Sequence, residues 1–215
     1  MNTNSKIYCF SGLGADEKIF SGITIDNYSL QYIPWLTHKQ GEKLSDYAMR
    51  MAEQVKEESP ILLGVSFGGM IAIEIAKQLP VKQLILISTI KTAAELPAWL
   101  KVVRTLKMNK WLPVRSSKLT RRIDNLQIGA ITSAEKELIQ SYRGKTDPLY
   151  MEWAINEIIN WKNDWYPPQF IHIHGSRDKM FPVRHITPTI IIKGGTHIMV
   201  INRAKEISEC INALL

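Results

Sequence analysis

The sequence predicts an α/β fold, in which a mostly parallel sheet carries helices on both of its faces. Segments typical of strands alternate with segments of helical length along much of the chain. Several of the strand-like segments are continuously apolar, as expected for strands that are buried on both faces. The 215 residues, 45% of them hydrophobic, are enough for the core of one globular domain with an insertion.

The N-terminal part predicts four strands separated by helical segments. The first apolar run ends at a glycine-punctuated loop, and the second ends in a Pro-Trp pair. In the helix that follows, apolar residues recur every three or four positions from Leu44, and Ser45 can cap its start. In chain order we predict a strand at 7–10, a helical segment at 16–20, a strand at 28–34, a helix at 45–57, a strand at 61–65, a helix at 67–79 and a strand at 84–87.

A long helical insertion is predicted after the fourth strand. Between residues 91 and 166 no run is typical of a strand, whereas Thr132-Ser133-Ala134-Glu135 has the pattern of a capping box and Asp147-Pro148 predicts a helix start. Strands are predicted again at 169–174 and 188–192, and Asn202 can cap a closing helix. We therefore predict a core of residues 1–90 and 167–215 with a helical cap at 91–166.

One motif carries chemistry. Gly64-Val65-Ser66-Phe67-Gly68 is a G-x-S-x-G sequence placed between an apolar strand and a helix. The strand must turn sharply into the helix so that the Ser66 hydroxyl is exposed on a strained backbone. Side chains two residues on either side would collide in such a turn, which explains Gly64 and Gly68.

With three further loops, this motif resembles the α/β-hydrolase superfamily. The loop after the first strand is Ser11-Gly12-Leu13, where the family usually has histidine in place of Ser11. The acid loop of the family matches His174-Gly175-Ser176-Arg177-Asp178, and its histidine loop matches Gly194-Gly195-Thr196-His197. The resemblance implies a three-layer α/β-hydrolase-like fold with about six mostly parallel strands in the order 2-1-3-4-5-6.

The resemblance also implies the roles of the site residues. The order Ser66, Asp178, His197 along the chain is that of the family. Ser66 would be the nucleophile, His197 the general base and later acid, and Asp178 the group that orients the imidazole. The backbone N–H groups of Leu13 and Phe67 would form the oxyanion hole. The resemblance implies neither a metal nor an organic cofactor.

Other titratable residues are expected to have structural roles. We predict that His172 and His174 are packed or hydrogen-bonded on the fifth strand, and that Glu74 lies on a solvated helix face. The two cysteines, Cys9 and Cys210, are expected to be reduced thiols, and no Cys/His cluster has the spacing of zinc ligands.

The net charge of +7 is concentrated in one region. Residues 91–122 carry nine basic residues against one acid, so this stretch has a charge of +8 and the rest of the chain −1. Because the positive charge is confined to this stretch, it does not indicate that the protein as a whole binds nucleic acid. The cationic region is either a solvated surface or a docking face for an anionic carrier such as acyl carrier protein or coenzyme A. The basic residues are Lys91, Lys101, Arg104, Lys107, Lys110, Arg115, Lys118, Arg121 and Arg122.

The sequence also leads to expectations about location and assembly. The first residues show no apolar stretch of signal-peptide length, and the longest apolar run, 61–76, is interrupted by glycines and Glu74. We therefore expect a cytoplasmic protein without a membrane span. Only 13 residues, 175–187, connect the last two strands, so one sheet face is thinly covered there and a homodimer contact is possible.

The function predicted from these observations is that of a serine hydrolase. It would cleave an ester or thioester of a small acyl substrate through an acyl-enzyme intermediate. A non-hydrolytic binding or receptor protein on the same fold is the alternative of a different class. Three other activities of the same superfamily would use the same triad and also stay open as alternatives: those of a lyase, a carbon–carbon hydrolase and a cofactor-free haloperoxidase.

Overall fold

The computed structural model describes residues 5–105, 128–130 and 132–215. In these ranges six strands form one sheet in the order β2-β1-β3-β4-β5-β6, and every neighbouring pair is parallel. The predicted strand order is therefore confirmed. The strands are β1 (Ser5–Phe10), β2 (Tyr28–Tyr32), β3 (Ile61–Val65), β4 (Gln83–Ile87), β5 (Phe170–Gly175) and β6 (Ile190–Ile192).

Helices cover both faces of the sheet. Alternate residues of the central strands enter two separate apolar clusters, since successive side chains of a strand point to opposite faces. Leu62 of β3 packs in the cluster that contains α1 and α2, whereas Leu63 packs in the cluster that contains α7. The described helices are α1 (Leu44–Ala52), α2 (Phe67–Ala76), α3 (Ala98–Thr105), α4 (Ser133–Lys145), α5 (Pro148–Asn160), α6 (Met199–Asn202) and α7 (Ala204–Asn212). Within the described ranges, no helix has both the length and the apolar composition needed to cross a membrane.

The predicted starts of α4 and α5 are confirmed in atomic detail. The Thr132 hydroxyl accepts a hydrogen bond from the Glu135 N–H at 3.2 Å, and the Glu135 carboxylate accepts one from the Thr132 N–H at 3.0 Å. Asp147 accepts from the Leu149 N–H at 3.0 Å, with Pro148 as the first helical residue. Both caps satisfy N–H groups that have no acceptor inside the helix.

Two predicted caps are wrong. Helix α1 begins at Leu44, so Ser45 lies inside it and its hydroxyl contacts Asp46 instead of a backbone N–H. Asn202 ends α6 instead of starting the closing helix, and its side-chain amide donates to Glu135 at 2.9 Å. At the start of α1 a distant residue takes the place of a local cap, because Glu157 of α5 accepts from the Leu44 N–H at 3.0 Å.

Helix α5 packs in the same core as α1 and α2. Its Trp153 is buried and donates from the indole N–H to the Glu42 carbonyl at 2.7 Å. Trp161, which follows the helix, donates to the Glu74 carboxylate at 2.7 Å. The prediction of a solvated Glu74 is therefore wrong, because this side chain is buried between Trp161 and Lys77. The residues around Glu74 in α2 are apolar on all sides of the helix, and a helix of this kind is usually buried on every face. This pattern was a signal in the sequence that Glu74 is buried.

Candidate active site

Ser66 occupies a strained turn between β3 and α2. Its φ of 53° and ψ of −118° lie in a region that residues with a side chain rarely adopt. A Cβ atom on Gly64 would lie 2.5 Å from the Gly68 carbonyl oxygen, and one on Gly68 would lie 2.2 Å from the Phe10 carbonyl oxygen. Only glycine fits at both positions, which is the physical reason for the G-x-S-x-G pattern.

Gly68→Ala is expected to lower the free energy of unfolding by about 3 kcal/mol, because the added methyl overlaps backbone atoms that cannot move aside. Thermal and urea unfolding measure this loss. The matched control is Gly144→Ala in α4, where an added Cβ meets no atom within 4 Å. There the free energy of unfolding should stay equal or rise by about 0.5–1 kcal/mol. Equal destabilisation by the two variants would contradict the close approach at Gly68.

The structure brings Ser66, His197 and Asp178 together. Ser66 Oγ lies 2.9 Å from His197 Nε2, and His197 Nδ1 lies 2.9 Å from Asp178 Oδ2. An ionised carboxylate only accepts hydrogen bonds, so Nδ1 carries the proton and Nε2 is free to accept from the Ser66 hydroxyl. Asp178 is 4% exposed, and its second oxygen accepts from the Phe181 N–H at 2.8 Å.

The acid and histidine loops are held against each other by their backbones. A Cβ atom on Gly175 would lie 2.3 Å from the Gly195 carbonyl oxygen, so the two loops touch where both have glycine. The Arg177 N–H donates to the Gly195 carbonyl at 2.8 Å, and the Gly194 N–H donates to the Ser176 hydroxyl at 2.8 Å. This contact positions Asp178 and His197 relative to each other.

The two predicted oxyanion-hole residues flank Ser66. Phe67 is the first residue of α2, so its N–H is one of the donors that have no acceptor within the helix. A Cβ atom on Gly12 would lie 3.7 Å from the Ser66 Cβ, which places the loop that contains Leu13 beside the hydroxyl. Ser11, at the position where the family usually has histidine, donates to the Ala15 carbonyl at 2.7 Å and closes this loop. The roles of the two N–H groups stay predictions.

A cavity of about 260 Å³ opens between the loops that follow β1 and β2 and the helices α4 and α5. Trp35 lies on its wall and stacks on Phe67, the neighbour of Ser66, with the ring centroids 5.6 Å apart. Burial raises the pKa of Tyr150 on the same wall, so this phenol is neutral. The cavity is lined by Gly14, Asp16, Trp35, Leu36, Thr37, Tyr142, Lys145, Thr146, Asp147 and Tyr150.

The tryptophans of residues 91–166 differ in their burial. Trp153 packs edge-on against Phe67 with the ring centroids 6.3 Å apart, and Trp161 is buried against α2. Trp99 and Trp165 are about 40% exposed, so these two side chains are not packed into the core with them. Trp111 lies outside the described residues.

In the described part of the basic region, 91–105, Lys91 forms a buried ion pair. Lys91 is 4% exposed and pairs with Glu95, while its ammonium also donates to the Thr187 carbonyl at 3.1 Å. Lys91, which was counted among the nine basic residues of this region, is therefore not part of an exposed cationic surface. Lys101 and Arg104 are partly exposed, and the other six basic residues lie outside the described residues. Docking of an anionic carrier stays a prediction.

The remaining titratable residues mostly behave as predicted. His172 and His174 are fully buried; His172 Nε2 lies 3.1 Å from the Thr89 carbonyl oxygen and His174 Nε2 lies 2.7 Å from that of Phe181. Cys9 and Cys210 are free thiols, and burial raises the pKa of Cys9. Among the described residues, no group of three or more histidine, cysteine or acidic side chains could hold a metal ion.

Comparison with known proteins relates this geometry to a fold. No family model and no curated protein matches the chain by sequence. An α/β-hydrolase fold protein from Burkholderia ambifaria matches in structure over 97% of this chain and 90% of its own, with a TM-score of 0.72 and 10% identity. This chain has the α/β-hydrolase fold.

Two further solved structures support this assignment of the α/β-hydrolase fold. MenH from S. aureus matches over 99% of this chain and 94% of its own, with a TM-score of 0.75 and 19% identity. A lipase-esterase related protein from Clostridium acetobutylicum matches over 100% and 96%, with a TM-score of 0.68 and 17% identity. The resemblance predicted from the motifs is thus confirmed at the level of the fold. In this α/β-hydrolase fold the candidate site lies at the carboxyl ends of the strands, where open α/β sheets bind ligands.

Proposed function

We propose that this protein is a serine hydrolase that cleaves an ester or thioester of a small acyl substrate through an acyl-enzyme intermediate. The observation that carries the proposal is the continuous hydrogen-bonded arrangement from Ser66 Oγ through His197 to Asp178, with both distances 2.9 Å. It begins on a serine held in a strained turn, where the hydroxyl is presented at the carboxyl edge of the sheet.

In the proposed first half-reaction, Ser66 Oγ attacks the acyl carbon while His197 Nε2 takes the hydroxyl proton. The carbonyl oxygen becomes an oxyanion that accepts hydrogen bonds from the N–H groups of Leu13 and Phe67. As the bond to the leaving group breaks, His197 returns the proton to the departing oxygen or sulfur. The acyl group is then esterified to Ser66.

In the second half-reaction, a water molecule replaces the hydroxyl as nucleophile. His197 takes one proton from the water, which adds to the acyl carbon, and then returns it to Ser66 Oγ as the acid leaves. Asp178 keeps the imidazole in the Nδ1–H tautomer and stabilises its protonated form in both steps. No cofactor is needed for either step.

The size of the cavity supports a small substrate. Its volume of about 260 Å³ is smaller than that of most pockets for drug-sized ligands, which measure about 300–1,000 Å³. Trp35 is fixed in the wall because its indole N–H donates to the Ala15 carbonyl at 3.1 Å. We propose that this cavity holds the acyl group, since it adjoins the loop of Leu13 and the ring of Phe67.

For p-nitrophenyl esters, kcat/KM is expected to fall at least about tenfold between an acyl chain of about four carbons and one of about twelve, because the longer chain cannot be buried in the cavity. Steady-state release of nitrophenol measures this. Leu36→Ala enlarges the cavity and should raise kcat/KM for the long ester relative to the short one. A flat chain-length profile in both proteins would contradict the assignment of the acyl group to this cavity.

Product analysis separates the proposed function from the alternatives. In isotopically labelled water, hydrolysis places one labelled oxygen in the released acid, and rapid acid quenching traps the acyl group on Ser66. The lipase-esterase related protein among the structural neighbours supports ester chemistry as the first reaction to assay. Ligand binding without turnover of any ester or thioester would favour the binding-protein alternative.

A further inference from the structure

We propose that His174 is a positioning residue that orients the Asp178 carboxylate toward His197, acting together with the backbone of Phe181. This inference deepens the proposed function, because it assigns a residue that supports the acid of the same site. His174 lies on β5 four residues before Asp178, and its side chain is fully buried.

The contacts of the imidazole define its role. His174 Nε2 lies 2.7 Å from the Phe181 carbonyl oxygen and 3.4 Å from Asp178 Oδ2. The Phe181 carbonyl oxygen can only accept, so Nε2 carries a proton and donates it there, while the same N–H lies close to Asp178 Oδ2. Among the described residues, His174 Nδ1 has no hydrogen-bond partner, which is consistent with a neutral ring protonated on Nε2 alone.

These contacts form a closed arrangement around the acid. The Phe181 N–H donates to Asp178 Oδ1 at 2.8 Å, and the Phe181 carbonyl accepts from His174. Asp178 Oδ2 accepts from His197 Nδ1 at 2.9 Å and faces His174 Nε2. Both carboxylate oxygens are therefore held, so rotation of Asp178 away from His197 breaks contacts on both sides.

The surroundings keep His174 neutral. Burial lowers the pKa of His174, and the positive charge of a protonated His197 lowers it further. Asp178, Glu95 and the hydrogen bond to Phe181 act in the opposite direction but are smaller than desolvation. His172 packs edge-on against His174 with the ring centroids 5.5 Å apart, and burial lowers its pKa to about 3. Because its pKa is lowered, His174 acts as a neutral donor.

The Nε2–H of His174 also affects the charge on Asp178. Nε2 lies 3.4 Å from Oδ2, the oxygen that accepts from His197, and the positive end of this N–H dipole stabilises the negative charge there, so its loss makes the carboxylate more basic. A more basic partner stabilises the protonated form of His197 and raises its pKa. The ascending limb of the pH profile of kcat/KM should then move to higher pH, which a residue with only a packing role would not cause.

The test compares two substitutions at His174. His174→Leu removes the donor and should lower kcat about 10- to 100-fold, leave KM within about twofold and move the ascending limb upward by about half a pH unit or more. His174→Gln places an amide N–H near the position of Nε2 and should recover most of kcat and the original pH profile. A leucine variant with the kcat and pH profile of the unmodified protein overturns the proposal, as does a glutamine variant that recovers neither.

His172 supplies the matched control. It is a buried histidine on the same strand and face, but its Nε2 contacts the Thr89 carbonyl and not the acid. His172→Leu should lower the melting temperature without moving the pH profile. Equal shifts of the profile in the two leucine variants would show that burial and not the contact with Asp178 is responsible, and would overturn the proposal.

A readout independent of turnover separates this inference from the proposed function. Titration of the His197 imidazole by proton NMR should give a higher pKa in the His174 variant that lacks the donor, whether or not the protein hydrolyses esters. If His174→Leu does not fold, His174→Asn, whose shorter amide does not reach Asp178, should show the same upward shift relative to His174→Gln. Loss of ester turnover in Ser66→Ala together with an unshifted His197 titration would overturn only the role of His174.

Discussion

Ser66→Ala is expected to lower kcat for ester hydrolysis at least ~10⁴-fold, because it removes the atom that would form the proposed acyl-enzyme. KM should change little, since the cavity between the loops after β1 and β2 and the helices α4 and α5 is untouched. A fluorophosphonate probe should add one adduct per chain to the unmodified protein, mapped to Ser66 by peptide mass analysis. The variant should take up none. Kinetics and labelling together identify the residue that acts as the nucleophile.

Ser88 is the control for this experiment. It also follows a strand, is fully buried and has a positive φ of 49°, but it lies after β4 and outside the triad. Ser88→Ala should keep the fluorophosphonate adduct and most of kcat. Turnover that survives in Ser66→Ala, or an adduct on another residue, would falsify the assignment of the nucleophile.

Asp178→Asn is expected to lower kcat by about 10⁴-fold while the fold is kept, because an amide at this position favours the wrong tautomer of His197. With the carboxylate present, Nδ1 carries the proton and Nε2 accepts from Ser66 at 2.9 Å. An amide N–H directed at Nδ1 would place the proton on Nε2 instead, so that no base faces the hydroxyl. Stopped-flow and steady-state kinetics with a short p-nitrophenyl ester measure this loss.

Two comparisons make the result for Asp178 specific. Asp164→Asn changes an exposed aspartate on the cap and should leave kcat unchanged. The double variant His197→Ala with Asp178→Asn should have a kcat no lower than that of the less active single variant, because members of a triad act as one unit. Losses that multiply in the double variant would contradict a shared role.

Much of the site could be predicted from the sequence, because several of its steric and hydrogen-bonding requirements involve only a few consecutive residues. The close approaches of Gly64 and Gly68 depend on a turn of five residues, so the G-x-S-x-G pattern marks them. The caps at Thr132 and Asp147 also arise within three residues of sequence. The strand order 2-1-3-4-5-6 was expected from the resemblance that the motifs carry, and continuous apolar runs indicated the parallel strands.

The remaining features depend on residues that are distant along the chain. Glu74 is buried because Trp161, 87 residues away, donates to its carboxylate. The capping roles of Ser45 and Asn202 were mispredicted: Glu157 accepts from the N–H at the start of α1, and the Asn202 amide donates to Glu135, and neither contact is visible in a local pattern.

Apolar patterns and the strand-to-helix turn indicated the fold class and Ser66, since local sterics and periodicity act within a few residues. Asp178 and His197 were assigned through the family resemblance of their loops. The pairing of buried polar groups, in contrast, depends on packing between distant segments. Lys91 and Glu95 form a buried pair instead of a cationic surface, and His174 reaches Asp178 through the geometry of the acid loop. The physical reason is that a polar side chain can be buried only where partners compensate for the loss of water, and those partners are assembled by packing.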